Sequence, residues 1–365
     1  MSGKYYSYGV EFTLGGGLKG LTGPILLTGH TGFKGTWMTY LLESLKLSVV
    51  GYSLTAEEES LFNRAKRVGL IPETFADVRD YEALKNFVEA HRPSAIIHMA
   101  AQPLVIKSYD DPRETFEVNV MGTVNLLDIA LKFDFVKAVL VVTTDKVYRN
   151  DNSARSFIEG DPLEGKDPYS ASKVATESVV SAWQQISKVT NGPKIASVRA
   201  GNVIGGGDYA ENRIIPDLIR GALNQKATKI RNPRSTRPWQ HVLDPLWGYL
   251  LTLSSLLEGG EIKSLNFAPE EVSKTVSELV EISKSIWSEI LVDEEVVNIN
   301  QEELESIELH LNSALARETL NWRPFFSQEE AVIATIQWWK SHLNLSYSPS
   351  ALITSEIERF LKSKA

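Results

Sequence analysis

Tyr169-Ser170-Ala171-Ser172-Lys173 sets a phenol and an ammonium group four residues apart, so on a helix both lie on one face. A nearby positive charge favours phenolate and turns the tyrosine into a base usable near neutral pH. Upstream, an apolar run ends in Thr144-Asp145-Lys146. The threonine can orient a hydroxyl group; of the next two, one can give a proton and the other take one. A reductase or epimerase needs only Ser/Thr, Tyr and Lys. The additional Asp145–Lys146 pair implies a second proton transfer, as in elimination of water. The bland alternative is a capped turn with an exposed ion pair.

A second constellation lies near the start of the chain. Pro24-Ile25-Leu26-Leu27-Thr28-Gly29-His30-Thr31-Gly32-Phe33-Lys34-Gly35 reads as a strand entering a helix through three glycines spaced G-x-x-G-x-x-G. Gly29, Gly32 and Gly35 would serve a tight turn, close approach of backbone to a pyrophosphate, and close helix–strand packing. Thr31, Phe33 and Lys34 lie in the same loop, and the helix N-terminus offers N–H groups to the anion. The coenzyme choice is open. The place of an acidic residue that would bind the ribose of NAD is taken by Gly51-Tyr52-Ser53-Leu54, so Ser53 would stand there. Lys34 could attract the extra phosphate of NADP or simply be exposed. Asp77, in Phe75-Ala76-Asp77-Val78, ends an expected third strand and either faces the adenine, with Val78 beside it, or caps a helix.

The elements that must position these groups follow from apolar periodicity. Ile25–Thr28, Leu47–Tyr52, Ala95–Met99, Ala138–Thr143 and Lys194–Arg199 read as strands. Trp37–Ser44, Tyr81–Ala90, Val118–Phe133 and Ser170–Ser187 read as amphipathic helices between them. The alternation predicts an α/β fold, a Rossmann-like doubly wound parallel sheet, with ligands at the C-terminal ends of the strands. Thr144 to Lys146 and Tyr169 then face one crevice. Ala100, Ala101 and Gln102 follow the fourth strand and should line the coenzyme. His98 is expected to be packed and hydrogen-bonded, and Asn119 supports the network or satisfies backbone groups.

After Arg199 the rhythm changes. A Gly/Asn/Arg/Pro-rich stretch precedes a helix near Val242–Leu257, a strand at Ser264–Ala268 and helices near Ser273–Ile290 and Ser327–His342. The expected division is a leader (1–22), a coenzyme-binding domain (23–200, with returning elements near 239–270), a smaller C-terminal substrate-binding portion (201–238 and 271–345) and a tail (346–365). The leader reads as mobile.

Composition narrows the function. The 365 residues carry 38 Lys+Arg against 46 Asp+Glu, a formal charge of −8, which argues against nucleic-acid or anionic-membrane partners. There is no cysteine, so disulfides, thiolate metal sites and cysteine nucleophiles are excluded. The six histidines show no metal-binding spacing, and no metal is expected. No apolar run of membrane-spanning length and no signal-peptide core occurs, which makes the cytoplasm the expected location.

The glycine loop together with Tyr169–Lys173 resembles the extended short-chain dehydrogenase/reductase superfamily, and within it the nucleotide-sugar 4,6-dehydratases. The segments 28–35, Thr144-Asp145-Lys146, 199–208 and Thr236-Arg237-Pro238-Trp239-Gln240-His241-Val242 look like those of the dehydratases that act on CDP-glucose. The matches run from about Gly23 to Lys340. The CDP-glucose likeness rests chiefly on Lys146, where dTDP-glucose dehydratases typically carry glutamate.

The resemblance implies NAD as cofactor and a self-contained redox cycle. Tyr169, aided by Lys173 and Thr144, would take the proton of the sugar 4-hydroxyl. Lys146 would remove the proton on carbon 5, and Asp145 would protonate the departing 6-hydroxyl. Arg237, beside Pro238-Trp239, should bind the substrate diphosphate; Asn202 and Arg213 are further contacts there. Trp239 packs either in the core or near the base, and Lys226, Lys229, Arg231 and Arg234 share the basic stretch. Relatives commonly dimerise through helices beside the active site, so a homodimer or higher homo-oligomer is expected. The rival readings are a dehydratase for a dTDP-, UDP- or GDP-linked sugar, an epimerase with an idle Asp145–Lys146 pair, and a redox-silent coenzyme-binding scaffold.

Overall fold

Apolar runs bounded by glycine and polar turns become the strands of one sheet in the computed structural model, which describes residues 4–7, 10–13, 18–150, 155–230, 232–294 and 309–364. The strands are β1 (Ile25–Thr28), β2 (Val49–Ser53), β3 (Glu73–Phe75), β4 (Ala95–His98), β5 (Ala138–Val142), β6 (Lys194–Ala200) and β7 (Ser264–Phe267). They lie in the order β3-β2-β1-β4-β5-β6-β7, all parallel. The order reverses between β1 and β4, where doubly wound sheets bind ligands.

Every residue of β1, β2, β4 and β5 is buried, as a parallel sheet covered on both faces requires. Period-two alternation divides their side chains. Leu26, Val50, Ile96, Val139 and Val141 pack with Leu84, Phe87 and Val88 of α2 (Tyr81–His91) and Leu126, Leu127 and Ile129 of α3 (Gly122–Lys132). Ile25, Leu27, Ile97, Leu140 and Val142 face the other way, into a larger core shared with α1 (Phe33–Ser44) and the C-terminal elements.

The fifth crossover, from β5 to β6, contains α4 (Pro168–Thr190). Asp167 caps it by accepting from the Ser170 N–H at 2.9 Å, and Pro168 fits its first turn, so the helix begins just before Tyr169. The chain then runs through α5 (Ile214–Leu223) to α6 (Leu243–Leu257), and β7 returns as the seventh strand.

Four expectations change. The helix expected at Val118–Phe133 has a widened turn over Glu117–Met121, following a helical turn at Pro112–Phe116. The helix expected from Ser273 begins later, as α7 (Val276–Ile286), because Lys274–Thr275 pairs with Thr236–Arg237 as a short antiparallel strand. The tail is helical: α9 (Pro349–Lys364) follows α8 (Gln328–Asn344) and buries Ile353, Ile357 and Phe360 in the larger core. Within the expected leader, Lys4–Ser7 and Val10–Thr13 pair as antiparallel strands. Among the described residues no helix is long and apolar enough to cross a membrane.

Candidate active site

The glycine loop forms a cradle that side chains would fill. Gly29 has φ +73°, and a Cβ there would lie 2.7 Å from the Ala100 nitrogen. A Cβ on Gly35 would meet the Gly29 carbonyl oxygen at 2.1 Å. Gly32 caps α1 with no side-chain acceptor, leaving the first-turn N–H groups to an anion. Ala100 and Ala101 border the loop, part-exposed, with the Ala100 N–H donating to Thr28 Oγ1 at 3.2 Å. Thr31 and Ser53 bond through their hydroxyls at 2.7 Å, so a neutral pair occupies the end of β2. This cradle fits a dinucleotide pyrophosphate.

Asp77 does not cap a helix. Its carboxylate is gripped by Arg79, whose Nε lies 3.0 Å from both oxygens and whose Nη2 lies 2.6 Å from Oδ2. That hydrogen-bonded guanidinium holds the Asp77 carboxyl below the usual range against the effect of burial. Asp80 caps α2 instead, accepting from the Ala83 N–H. The strand also stops at Phe75, two residues before Asp77. Val78 is buried against Gly122. Gln102 turns inward: its amide nitrogen donates to Thr115 and the Leu104 carbonyl, so its side chain ties the turn together. His98 is buried between Thr28 (2.7 Å) and Thr123 (3.1 Å), and burial with the charge of Lys173 brings it down to about 3.

The candidate catalytic groups meet at the C-terminal end of β5 and the start of α4. Thr144 Oγ1 donates to Asp145 Oδ1 at 3.0 Å, and Thr144 also acts on the Tyr169 phenol beside it. Asp145 is 2% exposed, and its Oδ2 has no hydrogen-bond partner among the described residues. Burial raises its carboxyl pKa against the pull of Lys146, Thr144 and Arg237. Burial also pushes the Tyr169 phenol up to about 12, with Thr144 and Arg213 opposing. Lys173 donates to the Val142 carbonyl at 3.3 Å, and burial, then the charge of Lys34, brings it down to about 7. Lys146 is part-exposed at the same turn.

Lys34 neither faces the adenosine end nor is fully exposed. Its ammonium lies 5.8 Å from the centre of the Tyr249 ring, near enough to Asp145, Arg213 and Lys173 to share their fields. Burial and Arg213 bring it down to about 8. Tyr249, on α6, is fully buried, and its hydroxyl has no hydrogen-bond partner among the described residues. Nothing in the apolar pattern of α6 marks this tyrosine. Its neighbourhood is visible only in three dimensions, where the charges of Tyr169 and Asp145 act on it.

At the substrate end, Arg237 is 5% exposed and its charge acts on Asp145, whereas Lys226, Lys229 and Arg234 are exposed. Arg231 lies outside the described residues. Arg213 pairs with Asp208 at 2.9 Å while its charge acts on Tyr169 and Lys34. Asn202 is part-exposed at the end of β6, and its carbonyl accepts from the Gln240 N–H at 3.0 Å. Trp239 is buried in the larger core. Asn119 sits in the widened turn, bonded to both backbone groups of Gln102 and to Ser172 of α4 at 2.9 Å, linking the turn after β4 to the helix that carries Tyr169 and Lys173. Such turns recur at functional sites.

Comparison with known proteins agrees with this fold. The model of the NAD dependent epimerase/dehydratase family matches residues 25–267. The chain is 40% identical over 329 residues to the CDP-glucose 4,6-dehydratase of Salmonella typhimurium, covering 87% of this chain and 90% of that one. It is 25% identical to the dTDP-glucose 4,6-dehydratase of Haemophilus influenzae, over 86% of this chain and 97% of the relative. Among solved structures, a dTDP-glucose 4,6-dehydratase from Streptomyces venezuelae with NAD bound superposes with a TM-score of 0.75 at 24% identity, covering 90% of this chain and 99% of that one. Glycine cradle, sheet order and family match converge: the chain belongs to the NAD dependent epimerase/dehydratase family.

Proposed function

We propose that this chain is an NAD-dependent hydro-lyase that converts CDP-glucose to CDP-4-keto-6-deoxyglucose. The observation that carries the reading is Asp145: a buried carboxyl beside Tyr169, with one oxygen unpartnered among the described residues and its pKa raised. A proton donor is what loss of the 6-hydroxyl as water needs, and a simple epimerase has no use for it. The 40% relative supplies the sugar nucleotide.

Gly29, Thr31, Gly32, Phe33, Gly35 and Ser53, with Ala100 and Ala101 alongside, would hold NAD, which when bound would supply the acceptor and later the donor of the sugar's hydride. Tyr169 takes the proton of the 4-hydroxyl. Lys173 and Thr144 stabilise the phenolate that accepts it, one by charge and one by a hydrogen bond. Lys146 takes the carbon-5 proton, which the 4-keto group has made acidic. Asp145 delivers its proton to the leaving 6-hydroxyl, which departs as water. Arg237 and Arg213 hold the diphosphate, where a guanidinium fork suits the oxygens, and Asn202 adds an amide.

The reading also takes residues 23–200 as the coenzyme domain, 201–238 and 271–345 as the substrate portion, the cytoplasm as the location, deoxysugar synthesis as the role, and a homodimer as the working form. The groove lined by Phe116, Val120 and Met121 supports the dimer.

Asp145→Asn tests the chemistry. The variant should still oxidise carbon 4 and accumulate reduced coenzyme with CDP-glucose while releasing no dehydrated product. Full retention of water loss would remove Asp145 from the mechanism.

A further inference from the structure

Glu177 lies one turn beyond Lys173 on α4. Its carboxylate is enclosed by four donors: Thr143 Oγ1 at 2.5 Å, Ser197 Oγ at 2.7 Å, and Arg199 through Nε at 2.9 Å and Nη2 at 2.8 Å. The side chains of Glu177 and Arg199 are 6% and 5% exposed. Arg199 Nη1 donates to the Tyr148 hydroxyl at 2.8 Å, which in turn donates to Asn266 Oδ1 at 2.7 Å. One carboxylate thus joins the catalytic helix to the end of β5 and to β6, and through Arg199 to β7. A buried ion pair is weak grounds for stability alone.

We propose that Glu177 is a positioning residue of the active site, which keeps Lys173 charged and fixes the Thr144-Asp145 turn against Tyr169. This rests on the reaction proposed above. Thr143, which Glu177 grips, is the chain neighbour of Thr144, so the bond fixes where the turn begins. Lys173 is faced by Lys34 from α1, by neutral His98 from β4 and by Glu177 from its own helix, where Tyr169 lies one turn before it. Burial and Lys34 both favour the neutral amine, and Glu177 is the anion that opposes them. Burial would raise the Glu177 carboxyl, but Arg199, Thr143 and Ser197 hold it below the usual range, so it stays charged.

Removing that charge closes the working pH window from both sides. Lys173 gives up its proton at lower pH, and the Tyr169 phenol then ionises at higher pH. The test compares the NAD-loaded wild type, Glu177→Gln and Glu177→Asp with CDP-glucose across pH. In Glu177→Gln the basic limb of kcat should move down by about one unit, a tenfold change in the proton equilibrium, with KM changed by less than about twofold. Glu177→Asp, which keeps the charge, should restore the limb. The phenolate ultraviolet titration of Tyr169, taken as the difference from Tyr169→Phe, should move upward in Glu177→Gln. This second reading uses no substrate, so it decides the proposal even if CDP-glucose is the wrong sugar nucleotide. If Glu177→Gln fails to fold with Arg199 unpaired, Glu177→Gln/Arg199→Gln removes both charges and should show the same shifts. Unmoved limbs and an unmoved phenol titration would overturn the proposal, because a purely structural role lowers the amount of active enzyme equally at every pH.

Discussion

Asp145 and Lys173 are both pushed by burial toward their neutral forms, and this suits their tasks differently. A carboxyl that keeps its proton is a ready acid. A lysine brought down to about 7 is poised at the edge of losing the charge that Tyr169 needs. Tyr169→Phe leaves the ring in place and removes the proton acceptor, so kcat should fall by roughly 10²–10⁴-fold with little change in KM. Steady-state kinetics check this, and a loss under about tenfold would assign the base elsewhere. The Tyr169–Lys173 spacing and the glycine triplet were legible in the sequence because each depends on neighbours within one turn or loop. The direction of Lys34, the grip of Arg79 on Asp77 and the orphan hydroxyl of Tyr249 were not. Each depends on which side chain, distant in sequence or free to rotate, fills the space beside it.

At the scale of elements, helix α9 closes the face of the sheet behind the glycine loop, packing its apolar stripe with α1 in the larger core. Its Glu356 is buried with an oxygen 3.3 Å from Nε2 of His241, which stands in the segment that also holds Arg237 and Trp239. Burial raises Glu356 to about 7. A carboxyl pKa raised above its unfolded value means that the folded state binds the proton more tightly. The contribution to stability is therefore full below the unfolded value of 4.5 and declines as pH rises through about 7. Glu356→Gln should remove that decline, so its unfolding free energy should gain on the wild type by up to about 3 kcal/mol across this range. Denaturant titrations at several pH values measure the difference, and parallel curves would show that Glu356 is charged in the fold. Ile353, Ile357, Phe360 and Leu361 recur at the spacing of one helix face, so the helix itself was legible in the sequence; the core it docks into was not. The fold of the first 200 residues was plain, since β1, β4 and β5 are runs buried on both faces and need no partner information to be recognised.

For the whole molecule, one apolar core joins the sheet, α6, α8 and α9, so the coenzyme cradle and the substrate end are built on a shared support. Ligand binding at the cradle should then stabilise the entire fold. With NAD at 100 times its dissociation constant, the gain is about 2.7 kcal/mol, read as a rise in the thermal midpoint. Gly29→Ala should abolish that rise, because a Cβ would lie 2.7 Å from the Ala100 nitrogen on a backbone with φ +73°. A rise retained in the variant would place the coenzyme elsewhere. The central claim is the conversion itself. Mass spectrometry of the NAD-loaded enzyme with CDP-glucose, and in parallel with dTDP-, UDP- and GDP-linked hexoses, tests it most directly. The expected result is a product lighter by one water from CDP-glucose, with no net reduced coenzyme. A product of unchanged mass, or water loss confined to another nucleotide, would contradict the account.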